Sequence, residues 1–271
     1  MKQSEQAKIL KQCIVYEESN EKILELQLHS PQIAAGAKPG QFVMLHLSNS
    51  HLLLPRPMSI MDADAANGSI TIMYSVVGSG TKQMALLKPG EEIKITGPLG
   101  NGFKINPGNK KIAIVGGGMG SPPLLFLART LKNVETHVFL GFRNEPFLKD
   151  SFADFTDTIH FSSDSGVFGF HGNVVDLLKF FCKSFPGQEY DEVYACGPKP
   201  MLFSLAEYAA SKNFPCQISL EERMACGLGT CVGCVISTTE GRKKICVDGP
   251  VFNGITLQEH FPSYVMKGGA L

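Results

Sequence analysis

Apolar and polar residues partly alternate over the first hundred residues, in short runs separated by turn signals. The runs KILELQLH, QFVMLHL, SITIMYSVV and EEIKITGPLG lie among Pro-Gly pairs at 39–40 and 89–90 and an Asn-Gly pair at 67–68. Alternation bounded by such dipeptides is typical of strands in small all-β units. This part of the chain therefore predicts a compact antiparallel β-barrel, with one helix over residues 81–87.

The pattern changes after the turn-rich stretch NPGNKK. KIAIVGGG is a continuous apolar strand that ends in glycines, and SPPLLFLARTLK indicates a helix with Ser121 as its N-cap and proline in its first turn. Buried strands are also predicted at THVFLGF, TIHFSS and EVYACG, and helices at GNVVDLLKFF and KPMLFSLAEYAASK. Alternating strands and helices indicate a doubly wound α/β domain with a parallel sheet.

The final segment, from about Cys216, is rich in cysteine and glycine and shows no clear helical period. Such a segment indicates a small module built around a ligand. We therefore expect a multi-domain chain with an antiparallel β-barrel over residues 1–106, an α/β domain over 107–215 and the small module over 216–271.

Length and charge narrow the classes of function. The 271 residues can bury a sizeable core in more than one domain. Because 25 basic residues balance 25 acidic ones without long runs of one sign, the sequence lacks the charge pattern of a nucleic-acid or anionic-membrane binder. With no secretion signal and no apolar stretch near about 18 residues, we expect a soluble cytoplasmic protein.

Four of the eight cysteines crowd into one short segment, with the plant-type spacing C-x4-C-x2-C and a fourth cysteine further on. Soft, anionic thiolates stabilise iron in both oxidation states, and the spacing predicts a [2Fe–2S] cluster. Gly227, Gly229 and Gly233 would supply the positive φ angles that a loop around a cluster needs. A four-cysteine zinc site stays the alternative. The predicted ligands are Cys226, Cys231, Cys234 and Cys246.

A glycine-rich turn follows the first strand of the α/β domain. Between a strand and a helix, such a turn presents backbone N–H groups to a pyrophosphate, although Ser121 replaces the third glycine of G-x-G-x-x-G. Cys196, Gly197 and Pro198 follow a later strand of the same sheet, and ligands bind at this edge of such sheets. The two signals together favour a nucleotide site over a bare turn. The glycines are Gly116, Gly117, Gly118 and Gly120.

Two segments of the barrel could bind an anion. Arg56-Pro57-Met58-Ser59 provides a cation, a rigid turn and a hydroxyl group, and Gly78-Ser79-Gly80-Thr81 provides a flexible loop at a helix start. An isolated arginine is more often solvated or structural. The residues alone leave both interpretations open.

The order of these motifs resembles that of ferredoxin-reductase-type flavoproteins, most closely the electron-transfer subunits of dihydroorotate dehydrogenase B. RPMS matches the R-P-x-S flavin motif of that family, and the cysteine set closes in CVDGPVF. The resemblance spans essentially the whole chain and implies an FAD-binding barrel, an NAD-binding domain and a small [2Fe–2S] domain. It implies that FAD contacts Arg56, Pro57, Met58, Ser59, Met73, Tyr74, Ser75, Gly80 and Thr81.

The resemblance also implies a separate FMN-containing catalytic subunit that oxidises dihydroorotate to orotate, in an α2β2 assembly. NAD accepts a hydride and a cluster carries one electron, so a flavin, which handles one or two, must lie between them. The predicted order is partner FMN, cluster, FAD, NAD⁺. Two alternatives stay open: the equivalent subunit of a sulfide dehydrogenase, transhydrogenase or hydrogenase complex, and a redox sensor or zinc-stabilised binding module without turnover.

Two polar residues of the α/β domain have no assigned role. Arg143 could lie near a 2′-phosphate and Asp164 could bind a ribose, but a solvated arginine and a turn-shaping aspartate are commoner. The expectation of NAD over NADP therefore rests on the resemblance.

Overall fold

Seven antiparallel strands form the first sheet of the computed structural model, which describes residues 3–18, 21–47, 52–185, 187 and 189–257. Their order along this half-barrel is β4-β3-β7-β1-β2-β6-β5, and two short helices, α1 (Pro31–Gly36) and α2 (Ser79–Met84), join them. The strands are β1 (Gln3–Glu18), β2 (Glu21–His29), β3 (Phe42–His46), β4 (Arg56–Ser59), β5 (Asp62–Asp64), β6 (Ser69–Ser75) and β7 (Glu92–Leu99).

Strand β7 shows why the sequence folds into this sheet. Ile93, Ile95 and Leu99 are buried in alternation with exposed Glu92 and Lys94, because successive side chains of a strand point to opposite faces. One boundary differs from the prediction: α2 covers residues 79–84 instead of 81–87. Thr81, the residue predicted to begin the helix, caps it instead, since its hydroxyl accepts hydrogen bonds from the N–H groups of Val77 and Gly78. The helix therefore starts earlier, at Ser79.

The second sheet is parallel, with α3 on one face and α4 and α5 on the other. The middle of its first strand, from Ile112 to Val115, is fully buried, as expected of a strand covered on both sides. The elements are β8 (Lys111–Gly117), α3 (Pro122–Thr130), β9 (Glu135–Phe142), β10 (Thr158–Ser163), β11 (Phe170–His171), α4 (Val174–Ser184), β12 (Glu192–Cys196), α5 (Lys199–Lys212) and β13 (Cys216–Ser219).

The helix starts of the α/β domain bear on the sequence predictions. Ser121 occupies the N-cap position of α3 with prolines after it, but its side chain makes no cap hydrogen bond. At α4 the cap is complete, since the side chain of Asn173 accepts from the N–H of Asp176 at 2.9 Å. The sequence thus predicted where α3 begins, but not that the Ser121 side chain makes no capping bond there.

The last part of the chain is divided between a hairpin and the parallel sheet. β14 (Val235–Thr238) and β15 (Gly241–Lys244) pair with each other, while β16 (Val251–Asn253) runs antiparallel beside β13. The sheet order is β11-β10-β9-β8-β12-β13-β16. The domain boundary at 215 stays a prediction, and strands on its far side complete this sheet.

One hydrophobic core connects all three parts. It contains Phe42 and Met44 of the half-barrel, Val115 of the parallel sheet, and Cys234 and Ile245 of the cysteine-rich module. The module is therefore packed against both larger units, which fixes where its cysteines lie.

Candidate cofactor sites

A cleft of about 270 Å³ lies between the half-barrel, the start of α3 and the segment that leads into the cysteine loop. Strands β4 and β6 form its barrel wall. They and the start of α2 bring together seven of the nine predicted flavin residues: Pro57, Met58, Ser59, Met73, Tyr74, Ser75 and Thr81.

Arg56 and Gly80, the other two predicted flavin residues, pack against each other beside this cleft. A Cβ atom added at Gly80 would overlap Nε of Arg56, so the guanidinium rests directly on the backbone at the start of α2. Nη1 of Arg56 also donates to the carbonyl of Leu54 at 2.6 Å. A fixed cation beside a helix start is suited to phosphate groups.

Tyr74 lines the cleft, but its side chain is buried in the core of the half-barrel. Its hydroxyl donates to Oε1 of Gln12 at 3.2 Å, and Nε2 of Gln12 donates to the carbonyl of Leu87 at 3.0 Å. Burial raises the pKa of Tyr74, so the phenol stays protonated and keeps this donor role. These bonds hold β6, which also carries Met73 and Ser75 of the cleft, in place.

A second cleft, of about 650 Å³, opens at the carboxyl edge of the parallel sheet. Gly117, Gly118 and Pro198 line it, as the nucleotide prediction requires. Arg143 and Asp164, whose roles the sequence left open, line the same cleft. The structure therefore brings both polar residues to the place where a dinucleotide would bind.

The remaining predicted nucleotide residues lie behind this cleft, where the two turns touch. Gly116 pairs with Cys196 across neighbouring strands, and a Cβ atom at Gly120 would lie 2.5 Å from the Cys196 carbonyl oxygen. Glycine at these positions permits close backbone approach. The backbone nitrogen of Gly197 also lies against Gly120, 2.4 Å from where a Cβ atom would be. Burial raises the pKa of Cys196, which keeps it a neutral thiol.

The four cysteines of the loop form two pairs. The sulfur atoms of Cys226 and Cys231 are 3.2 Å apart, and those of Cys234 and Cys246 are 3.4 Å apart. Within the described ranges, no three His, Cys, Asp or Glu side chains are grouped as around one metal ion. Structural zinc needs four donors around one point, whereas a [2Fe–2S] cluster needs two cysteines for each iron. The donor set fits the cluster better.

The loop also stabilises thiolate at its first ligand. Burial acts to raise the pKa of Cys226, but hydrogen bonds from the Thr230 side chain and from the N–H groups of Cys231 and Leu228 lower it to about 5. The two N–H groups lie 3.5 and 3.4 Å from the sulfur atom. Since thiolate is the form that binds a metal, Cys226 is suited to binding iron.

Two of the three loop glycines adopt the predicted conformation. Gly227 and Gly229 have φ angles of +67° and +86°, and side chains there would collide with Met44 and Val247. The prediction of positive φ was wrong for Gly233, which is outside that region. Its backbone follows the turn between the second and third cysteines without needing left-handed geometry.

Sequence reasoning missed part of the flavin cleft, because the missing residues come from five separate segments. Two of them had a signal: Met224 stands two residues before Cys226, and Pro250 four residues after Cys246. A loop that holds a cluster beside a flavin must bring its flanks to the same place. The missed residues are Phe42, Val77, Met119, Pro122, Pro123, Ser219, Leu220, Glu221, Glu222, Met224 and Pro250.

The half-barrel, the parallel sheet with its glycine turn and the paired cysteines together define a flavoprotein of the ferredoxin-reductase class. The chain is similar to the NADH-dependent reduced ferredoxin–NADP oxidoreductase, with a TM-score of 0.82 and 29% identity, covering 96% of this chain and 94% of that one. A ferredoxin NADP⁺ reductase from Neisseria gonorrhoeae, 15% identical with a TM-score of 0.61 over 77% of this chain and 91% of that one, shows the same fold.

Sequence comparison makes the assignment more specific. Residues 10–103 match the oxidoreductase FAD-binding domain, and residues 221–258 match the iron-sulfur cluster binding domain of dihydroorotate dehydrogenase B. The electron transfer subunits of dihydroorotate dehydrogenase B (NAD⁺) from Clostridium acetobutylicum and Geobacillus kaustophilus are 41% and 40% identical, over 81% and 86% of this chain and 86% and 91% of theirs. The chain belongs to this family of electron-transfer subunits.

These findings confirm several sequence predictions: the family, the three-part fold class, the FAD and iron–sulfur cofactors, and an NAD-linked oxidoreductase. The iron–sulfur match also favours a cluster over the zinc alternative. Across the described residues, no helix is both long and apolar enough to cross a membrane.

Proposed function

We propose that this chain passes electrons from the FMN of a dihydroorotate dehydrogenase catalytic subunit to NAD⁺. A [2Fe–2S] cluster would supply one-electron transfer, and FAD would collect two electrons and a proton and supply them to NAD⁺ as a hydride. The order is partner FMN, cluster, FAD, NAD⁺. Dihydroorotate oxidation itself would be carried out by the partner.

The position of the flavin cleft carries the proposal. Val77 and Met119 line both the flavin cleft and the nucleotide cleft, so the two clefts meet there. On the other side Met224, two residues from Cys226, lines the flavin cleft. A flavin in this cleft would therefore lie between the nucleotide cleft and the cysteine loop, which supports the proposed order of electron transfer.

The residue roles follow the same geometry. Arg56 and the start of α2 at Gly80 and Thr81 would bind the FAD phosphates, while Tyr74, held from inside the barrel, would line the flavin site. The cluster would be held by its four cysteines in two pairs. The remaining flavin contacts would be Pro57, Met58, Ser59, Met73 and Ser75. The nucleotide contacts would be Gly117, Gly118 and Pro198, with Gly116, Gly120, Cys196 and Gly197 shaping the two turns behind them.

The catalytic partner would cover the cysteine loop. Leu228, Val232 and Val247 are apolar and 42%, 75% and 41% exposed around the four sulfur atoms. Apolar side chains at the core of an interface exclude water and allow close contact. The α2β2 stoichiometry and the cytoplasmic location stay predictions.

Reconstitution tests this proposal. The loaded chain, mixed with an FMN-containing dihydroorotate dehydrogenase catalytic subunit, should reduce NAD⁺ when dihydroorotate is added. Cys246→Ser, which removes one iron ligand, should abolish that activity while NADH still bleaches the FAD. Equal dihydroorotate-dependent rates in the two proteins would show that electrons do not need the cluster.

A second candidate keeps the electron chain and changes the partner. The solved NADH-dependent reduced ferredoxin–NADP oxidoreductase aligns with nearly the whole chain, which supports an equivalent subunit of a transhydrogenase, sulfide dehydrogenase or hydrogenase complex. Purification from the native cell separates the two candidates. An FMN-containing partner supports the first, and a hydrogenase or second FAD enzyme supports the second.

A further inference from the structure

The half-barrel contacts the cysteine loop at two separate points, one beside each pair of sulfur atoms. The first contact involves Met44 of β3, and the second involves Asn101, just after β7. Both strands are neighbours in the barrel sheet, and β3 also carries Phe42 of the flavin cleft. The same rigid element therefore reaches the flavin site and the loop.

Met44 packs against the loop beside the first sulfur pair. It is 1% exposed, and a Cβ atom added at Gly227 would lie 2.6 Å from Cγ of Met44, which leaves no room between them. Gly227 follows Cys226 directly. Met44 packs in the same core cluster as Phe42, two residues away, across an irregularity in the pairing of β3 with β7. Val43, between them, points into the separate core of the half-barrel.

Asn101 binds the loop beside the second sulfur pair. Its Nδ2 group donates to the carbonyl oxygens of Val247 and Asp248 at 2.9 and 3.1 Å. Its backbone N–H donates to the carbonyl oxygen of Gly249 at 2.6 Å. Val247 follows Cys246 directly. Both amide hydrogens of the side chain are therefore used on the segment that carries the last ligand.

The bound segment is itself connected to the rest of the loop. The carboxylate of Asp248 accepts from the N–H of Lys244 at 2.6 Å, and Nζ of Lys244 donates to the carbonyl of Gly229 at 2.7 Å. A displacement at Asn101 would thus be transmitted to both halves of the loop. Neither Met44 nor Asn101 supplies an atom to any predicted ligand set, so their contacts have another purpose.

We infer that Met44 and Asn101 are positioning residues that set the separation between the cluster and the flavin. This inference rests on the proposed function, because it concerns the one-electron step between these two groups. Electron tunnelling between two groups slows steeply as their separation grows, so a displacement of the loop changes the rate of this step. Loosening either contact should slow electron transfer between FAD and cluster without changing hydride transfer from NADH to FAD.

Four variants of the full chain, loaded with FAD and iron, test this inference. Asn101→Asp keeps the shape but places a carboxylate against two carbonyl oxygens, and Met44→Ala removes the packing on Gly227. Asn106→Asp is the matched control, since Asn106 and Asn101 line the same surface cleft. Oδ1 of Asn106 accepts from the N–H of Gly108 at 2.9 Å, a bond that a carboxylate can also accept. Val43→Ala controls for the loss of a buried barrel side chain.

Stopped-flow mixing with NADH gives the rate constant of FAD bleaching, and freeze-quench EPR gives that of cluster reduction. We expect Asn101→Asp and Met44→Ala to lower the second rate constant several-fold and leave the first unchanged, with both controls like wild type. At saturating NADH both are first-order constants, so incomplete iron loading does not alter them. Unchanged cluster reduction in Asn101→Asp and Met44→Ala would overturn the inference. Failure of NADH to bleach the wild-type flavin would instead contradict the proposed function.

Discussion

Gly80 has no room for a side chain because the guanidinium of Arg56 occupies the space. We expect Gly80→Ala to displace Arg56 from the start of α2 and to weaken FAD binding on the order of tenfold, as loss of a charge-assisted contact costs about 1.5–3 kcal/mol. Equilibrium titration of the apoprotein with FAD measures this.

Gly78→Ala is the matched control, since an added Cβ there meets nothing within 4 Å and the backbone is extended. It should bind FAD like wild type. Equal FAD affinity in Gly80→Ala and wild type would show that Arg56 does not serve the phosphates.

The cysteines make a second residue-scale prediction. Cys231→Ser should lower the iron content of the anaerobically purified chain to near zero, because a hydroxyl is a poor replacement for thiolate toward iron. Cys182→Ser, outside the loop and half-buried, should keep its iron. Iron and zinc are measured on the same samples, and full iron in Cys231→Ser would remove that residue from the ligand set.

At the scale of elements, an aromatic layer between β9, β10 and α4 should make stability depend on pH. His160 stacks on Phe139 at 5.0 Å and meets Phe181 of α4 at 4.6 Å. Burial lowers the pKa of both His160 and the neighbouring His137, and each also feels a nearby positive charge. The carboxylates of Glu135 and Asp157 face His137 and oppose part of its shift.

The folded state thus keeps these imidazoles neutral at a pH where the unfolded chain already binds protons. Stability is full above about pH 6.5, the ordinary histidine value, and falls as the pH drops below it. His160→Phe should flatten this decline in urea unfolding between about pH 7 and pH 5, while exposed His171→Phe should not. An unchanged slope in His160→Phe would contradict this account.

Secondary structure followed from local patterns, while the contacts between parts did not. Alternation along β7 and the apolar run of β8 predicted their elements, and cysteine spacing predicted the ligand set. By contrast, Phe42 and Glu221 of the flavin cleft are far apart in sequence and meet only through tertiary packing. The roles of Arg143 and Asp164 stayed open at the sequence level because strand ends align only when the parallel sheet forms.

At the scale of the whole molecule, three units share one core, and this decides the order of the cofactor sites. The cysteine loop packs on β3, and its two flanks, at Met224 and Pro250, reach the flavin cleft. The nucleotide cleft meets the flavin cleft from the other side. A chain of sites with the flavin in the middle is the central claim.

An anaerobic NADH titration of the purified chain, followed by absorbance and EPR with flavin, iron and zinc quantified, tests that claim most directly. We expect bound flavin and iron without zinc, bleaching of the flavin by NADH, and an EPR signal of a reduced [2Fe–2S] cluster that grows with it. The account would be contradicted if an excess of NADH reduced the flavin while the cluster stayed oxidised. Zinc in place of iron would also contradict it.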